Sequence, residues 1–305
     1  MEFLNESIGK LTEGKIMSIN ENLLENADTS RNGRVITVTS PTGGSGKSST
    51  ALLLGTTLAQ ASKKAHEAGL SERPLDVVVV DLDVFDSQLG FILGKVTPTV
   101  SDIILSETPK DPATIKSNLF YSSRMGIHAL LAPVRTQTAP YLTPAFYRDT
   151  IRTLKTMFDV VILDTSVHHY DDFIRTVALP EADYILLVTT LNIGSVKAMS
   201  RWIDVVSAPV SEEGHGVDMG KVGVVVNQSA QGIGANVQDL VSAAQGTPLL
   251  VAIPLDTIAV QAAANANRLE DIVLHPTIGP AFFKLANKIM RETALLPLID
   301  DKNIQ

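Results

Sequence analysis

The sequence predicts an α/β fold, a doubly wound and mostly parallel sheet flanked by helices, and three observations predict it. From Arg34 onward, seven short apolar runs rich in Val, Ile and Leu follow one another. Longer stretches with helical periodicity separate them, which is the pattern of strands buried on both faces and joined by crossover helices. A glycine-rich turn stands between the first run and the first helical stretch.

The elements follow in order. Residues 1–33 read as an N-terminal extension, helical or flexible: Phe3, Leu4, Ile8 and Leu11 can share one helical face, and "NENLLENADTSRNG" is polar. The domain proper covers 34–305. Its strand runs are "RVITVTS", "DVVVVDLD", "GIHALLAP", "DVVILDTS", "DYILLVTT", "KVGVVVNQ" and "PLLVAIP". After the glycine turn, Ala51, Leu54, Leu58 and Ala61 recur at helical spacing and predict one apolar stripe against the sheet. Thr143 and Pro144 read as N-cap and first residue of a helix whose stripe is Tyr147, Ile151, Leu154 and Phe158. "SAPVSEEGHGVDMG" at 207–220, rich in glycine and charge, reads as a surface loop. Near the C-terminus, Phe282, Leu285, Ala286 and Ile289 space as the packed face of a last helix.

Composition narrows the function. At 305 residues and 45% hydrophobic, the chain can bury one large core. A net charge of -8 argues against a surface broadly attractive to nucleic acid. With no cysteine, disulfides and thiolate metal sites are excluded. No apolar run approaches the roughly 18 residues a spanning helix needs, and "MEFLNESIGK" lacks the basic and apolar order of a leader, so a cytoplasmic protein is expected.

The chemistry concentrates in "SPTGGSGKSST", residues 40–50. Strand, glycine turn and then Lys47 and Ser48 opening a helix is the order of a phosphate-binding loop. Gly43, Gly44 and Gly46 let backbone amides approach phosphate, Lys47 reaches the β and γ oxygens, and the Ser48 hydroxyl suits Mg²⁺. Pro41 stands where the strict Walker A pattern has glycine. Two strand runs end in acids, Asp81 and Asp83 in one and Asp164 in the other, at the edge where such sheets bind ligands. Ser48, Asp164 and Asp81 are the candidate metal residues, Asp164 acting through a water. Lys47, Asp83 and Asp164 are the candidate catalytic set, with Asp83 orienting an attacking water. For an isolated aspartate, an N-cap or a surface strand end is the blander reading.

These residues resemble the ParA/MinD group of P-loop ATPases, from about 34 to about 293. "TGGSGKSS" matches that group's deviant loop, K-G-G-x-G-K-[ST], except that Thr42 replaces the signature lysine. "DLDVFDSQLGFILG" resembles its switch I, "FDVVILDTS" its Walker B strand without the usual proline, and "VVVNQ" with "IPLDTIAVQAAANANR" its adenine-contacting strand and loop. The resemblance implies a P-loop NTPase fold of the SIMIBI type binding ATP/ADP with Mg²⁺. The nucleotide would touch Thr42, Gly43, Gly44, Ser45, Gly46, Lys47, Ser48 and Ser49, and Asn227, Pro254 and Asp256 would surround the base. "GIHALLAPVRTQTAP" through "LDTS", and "ADYILLVTTLNIGSVKAMSRWIDVV", resemble the pilus-localisation branch called CpaE or TadZ.

In that group the signature lysine reaches across a homodimer to the partner's phosphates. Thr42 offers a hydroxyl without charge, which implies weaker nucleotide-dependent dimerisation and slow hydrolysis. Arg135 or Lys197 are candidates to supply the cation instead. The resemblance leaves three roles open: positioning a pilus or secretion machine at a pole or membrane, partitioning DNA, and scaffolding without hydrolysis. For DNA the best face is Lys284, Lys288 and Arg291, which reads equally as a solvated helix surface. "HHYDD" at 168–172 reads as a switch segment rather than a zinc site.

Overall fold

In the computed structural model, residues 31–133, 136–230, 232 and 234–295 are described. The readings placed on residues 1–30 and on Arg135, and the last ten residues of the 34–305 span, lie outside them.

All seven apolar runs are strands, and an eighth joins them. In chain order the elements are β1 (Arg34–Thr39), α1 (Lys47–Glu67), β2 (Val77–Asp81), α2 (Leu89–Leu93), α3 (Val100–Ile104), α4 (Pro112–Ser117), β3 (Phe120–Ser122), β4 (Ile127–Leu130), α5 (Pro144–Met157) and β5 (Val160–Asp164). A π-helical turn, Ile174–Ala178, then precedes β6 (Tyr184–Thr190), α6 (Ile193–Ser207), β7 (Val222–Ser229), α7 (Val237–Ala244), β8 (Leu249–Pro254), α8 (Thr257–Asn265) and α9 (Gly279–Glu292).

The sheet runs β3-β4-β2-β5-β1-β6-β7-β8, parallel apart from the antiparallel edge pair β3 and β4. The chain winds from β1 first one way, to β2 and β4, and later the other, to β6, β7 and β8. Such a reversal of strand order opens a crevice at the C-terminal strand ends. Register places Asp81 of β2 directly beside Asp164 of β5, and Val38 of β1 on the other side of Asp164.

Alternation explains why the runs are continuously apolar. Along β2, Val77 and Val79 enter the core under α1, whereas Val78 and Val80 enter the core under α5; β5 divides its residues the same way. Thr143 caps α5 as its sequence predicts, its hydroxyl accepting from the Phe146 amide at 3.2 Å, with Pro144 behind it. The stripe of Tyr147, Ile151, Leu154 and Phe158 is buried.

For α1 the outcome exceeds the expected single stripe. Every residue from Thr50 to Ala59 is buried, because α9 and the 3₁₀ segment Leu269–Leu274 cover the side opposite the sheet. Thr56 and Thr57 tolerate this because their hydroxyls donate to the carbonyls of Leu52 and Leu53, both at 2.7 Å. The helix that opens at the glycine loop is therefore the central rod of the core.

Candidate functional site

The loop after β1 enters α1 through Gly46, which has φ +86° and no side-chain cap. A Cβ there would stand 2.2 Å from Asn227 Nδ2, so space and conformation both demand glycine. An α-helix leaves its first amides without intrahelical partners. Here no side chain takes them, and they point with the positive end of the helix dipole into a cleft of about 620 Å³. Gly43, Gly44, Gly46, Lys47, Ser48 and Ser49 line it. Burial lowers the pKa of Lys47, and Asp164, Asp83 and Asp86 act against that fall.

Behind the lysine lie the acids. Asp164 is 2% exposed and its Oδ1 has no hydrogen-bond partner among the described residues. Burial pushes its carboxyl up to about 7, opposed by the Ser48 hydroxyl and the Lys47 ammonium. Asp81 is fully buried, and its carboxyl is raised well above the usual range by burial first and by Asp164 second. Neither Asp81 nor Asp164 lines the cleft itself; Ser87 Oγ donates to Asp81 Oδ2 at 2.5 Å and the Asp83 amide to its Oδ1 at 3.1 Å, so Asp81 ties down the turn that carries Asp83. Asp83 itself lines the cleft, with Oδ1 accepting from the Asp86 amide at 3.0 Å. The orphaned Asp164 oxygen beside Ser48 fits a hydrated divalent cation, and the uncapped amides with Lys47 fit phosphate. No group of three or more metal-ligating side chains occurs among the described residues, so any ion would also need ligand and water oxygens.

A second, smaller pocket of about 150 Å³ shares Gly46 and Ser49 with the first. Asn227, Pro254, Asp256, Val260 and Phe282 are among its walls. The Asn227 side-chain amide donates to the Ser45 carbonyl at 2.8 Å, so it braces the loop as well as facing the pocket. Asp256 caps α8 through the Ala259 amide at 3.0 Å.

Thr42 is engaged within its own chain. Its Oγ1 lies 3.3 Å from Ser195 Oγ on α6, which accepts from Thr190 Oγ1 at 3.1 Å. Lys197 lines a separate groove between α6 and α7, with Asp239, and not the cleft. Lys284 and Arg291 are exposed on α9, and Lys288 is half-buried.

No family model matches the chain. The septum site-determining protein MinD of Synechocystis is 27% identical over 198 residues, 64% of this chain and 64% of the relative's own length, so the chain matches less than two thirds of that protein. Among solved structures, a ParA family ATPase of Chlorobium tepidum superposes with a TM-score of 0.68 at 17% identity, over 85% of this chain and 98% of that one. The fold is that of the ParA/MinD-type P-loop ATPases. Sequence similarity to MinD points to the same superfamily. MinD of Pyrococcus horikoshii, solved in complex with Mg-ADP, superposes at 0.63 with 18% identity over 84% of this chain and 96% of that one.

Within this ParA/MinD-type fold, the structure brings together residues that lie far apart in the chain. Gln228, held at φ +54°, reaches the Gly44 carbonyl at 3.5 Å; its only sequence signal is its place next to Asn227. Ser166, His168 and Asp171, and Phe85 and Asp86, line the same cleft as Lys47. Ser87 had no signal, since its bond to Asp81 depends on the intervening turn.

Proposed function

We propose that the chain is a Mg²⁺-dependent ATP-binding switch and slow ATPase of the ParA/MinD type, which acts as a homodimer to position a pilus or secretion apparatus. The observation that carries the nucleotide reading is the uncapped start of α1, with Lys47 and Ser48 set against a buried acid whose Oδ1 is unpartnered. The Mg-ADP complex of the Pyrococcus MinD supports the choice of ligand. The assignment to a pilus or secretion machine rests on the CpaE/TadZ-like runs in the sequence.

In this reading the loop amides and Lys47 hold the phosphate chain, and Ser48 with Asp164 holds Mg²⁺, which when bound neutralises phosphate oxygens. Asp83 accepts a hydrogen bond from the water that attacks the γ-phosphate; its turn is held by Asp81 and Asp86, so the carboxylate is positioned in advance. Asn227 couples occupancy of the smaller pocket to the loop through the Ser45 carbonyl. Slowness follows from Thr42, whose hydroxyl is turned to Ser195 and carries no charge, where a lysine would offer a charge-assisted bond about twice as strong as a neutral one.

Calorimetric titration with Mg·ATP, followed by a phosphate-release assay, tests the reading. Binding that disappears in Lys47→Ala, with slow release in the unmodified chain, is expected. No binding at all overturns the reading, and binding with no release reduces it to a nucleotide-dependent scaffold.

A further inference from the structure

Charge in the phosphate cleft is unbalanced. Among the described residues that line it, only Lys47 and His168 can carry a positive charge, whereas Asp83, Asp86 and Asp171 are acids. Thr42 contributes no charge, and its hydroxyl is turned to Ser195. Lys197 lines a different groove.

The segment that carries His168 is anchored around it. Asp171 is committed on both oxygens, Oδ2 accepting from Ser166 Oγ at 3.2 Å and Oδ1 from the Phe173 amide at 2.8 Å. Its own amide donates to the His168 carbonyl at 2.7 Å, closing the turn. His169 and Tyr170 pack on each other at 4.4 Å between ring centroids and face His215, whose Nε2 lies 3.0 Å from the His169 carbonyl. Of the four side chains from His168 to Asp171, three are tied into the protein. His168 is exposed, has no such tie among the described residues, and lines the same cleft as Lys47.

We propose that His168 donates a hydrogen bond from the same chain to the terminal phosphate of the bound nucleotide, partly replacing the phosphate contact that a lysine at position 42 would make. The inference rests on the nucleotide-binding reading above and adds to it a residue that tells triphosphate from diphosphate. An imidazole carries an N–H donor whether neutral or protonated, so the contact does not require a particular charge state.

The test compares affinities for a non-hydrolysable Mg·ATP analogue and for Mg·ADP, by calorimetry, in the unmodified chain, His168→Ala and His168→Gln, with circular dichroism confirming the fold. A hydrogen bond to a charged group predicts that H168A weakens the analogue by about tenfold while ADP changes by less than about twofold, and that H168Q, which keeps a donor, retains most of the analogue affinity. Equal losses for both ligands, or no loss for either, overturn the inference while leaving the nucleotide site standing. An unmodified chain that binds neither ligand overturns both.

Discussion

Replacing Asp164 by Asn should stabilise the nucleotide-free protein at alkaline pH and do little at acid pH. Asp164 is 2% exposed with an unpartnered Oδ1, and beside it in register lies the fully buried Asp81. A carboxyl that titrates near 3.8 when unfolded and at about 7 when folded binds more protons in the native state between those values. Stability therefore falls as pH rises through that window, and the loss is complete above about pH 7. Roughly 3 pH units at about 1.4 kcal/mol each give on the order of 4 kcal/mol; because Asp81 shares the repulsion, about 2–4 kcal/mol is expected. Asparagine keeps the shape without the charge, and it also relieves Asp81. Urea unfolding followed by circular dichroism at pH 4, 6 and 8, with a chelator present, reads the difference between variant and parent. A difference that grows with pH is the expected result. One that is constant across the series, or a variant less stable at pH 8, would refute the argument that burial of this charge is what the fold tolerates for function.

Three further outcomes follow from other parts of the site. Gly46→Ala meets Asn227 Nδ2 at 2.2 Å and a φ of +86°, so it should cost roughly 1–3 kcal/mol in thermal unfolding and weaken nucleotide binding; an unchanged melting curve would contradict the geometry. Leu54→Ala, at a fully buried position in the central helix, should destabilise by about 2–5 kcal/mol in urea, and a loss under 1 kcal/mol would mean that α1 is not the rod of the core. Thr42→Lys gives up the contact with Ser195 and adds a mobile cation, and should raise both phosphate release and ATP-dependent dimerisation measured by light scattering. If both stay at the parent's level, position 42 is not where the cation is missing.

Several elements were legible before any coordinates. The glycine loop, the acids at the ends of β2 and β5, and the capped start of α5 are local signals, because each depends on residues within one turn or one strand. β3 was not legible: three residues at an antiparallel edge have too little alternation to register, and only β4 gives them a partner. The all-round burial of α1 was hidden for a related reason. The stripe of Ala51, Leu54, Leu58 and Ala61 carries no sign that α9 and the Leu269–Leu274 segment also pack on the helix, or that Thr56 and Thr57 are buried with their hydroxyls bonded to carbonyls one turn back.

Local order along the chain was enough to determine the strand and helix sequence, the loop that suits phosphate, and the residue absent from it at position 42. Only the tertiary structure decided what those residues face. Strand register put Asp81 against Asp164, both buried, the first hydrogen-bonded to the turn after β2 and the second left with an unpartnered oxygen; chain winding brought Asn227 to the loop and His168 into the cleft that Lys47 lines. Those contacts span up to 182 residues of chain, and pattern along a sequence carries no information about which distant side chains will share one crevice.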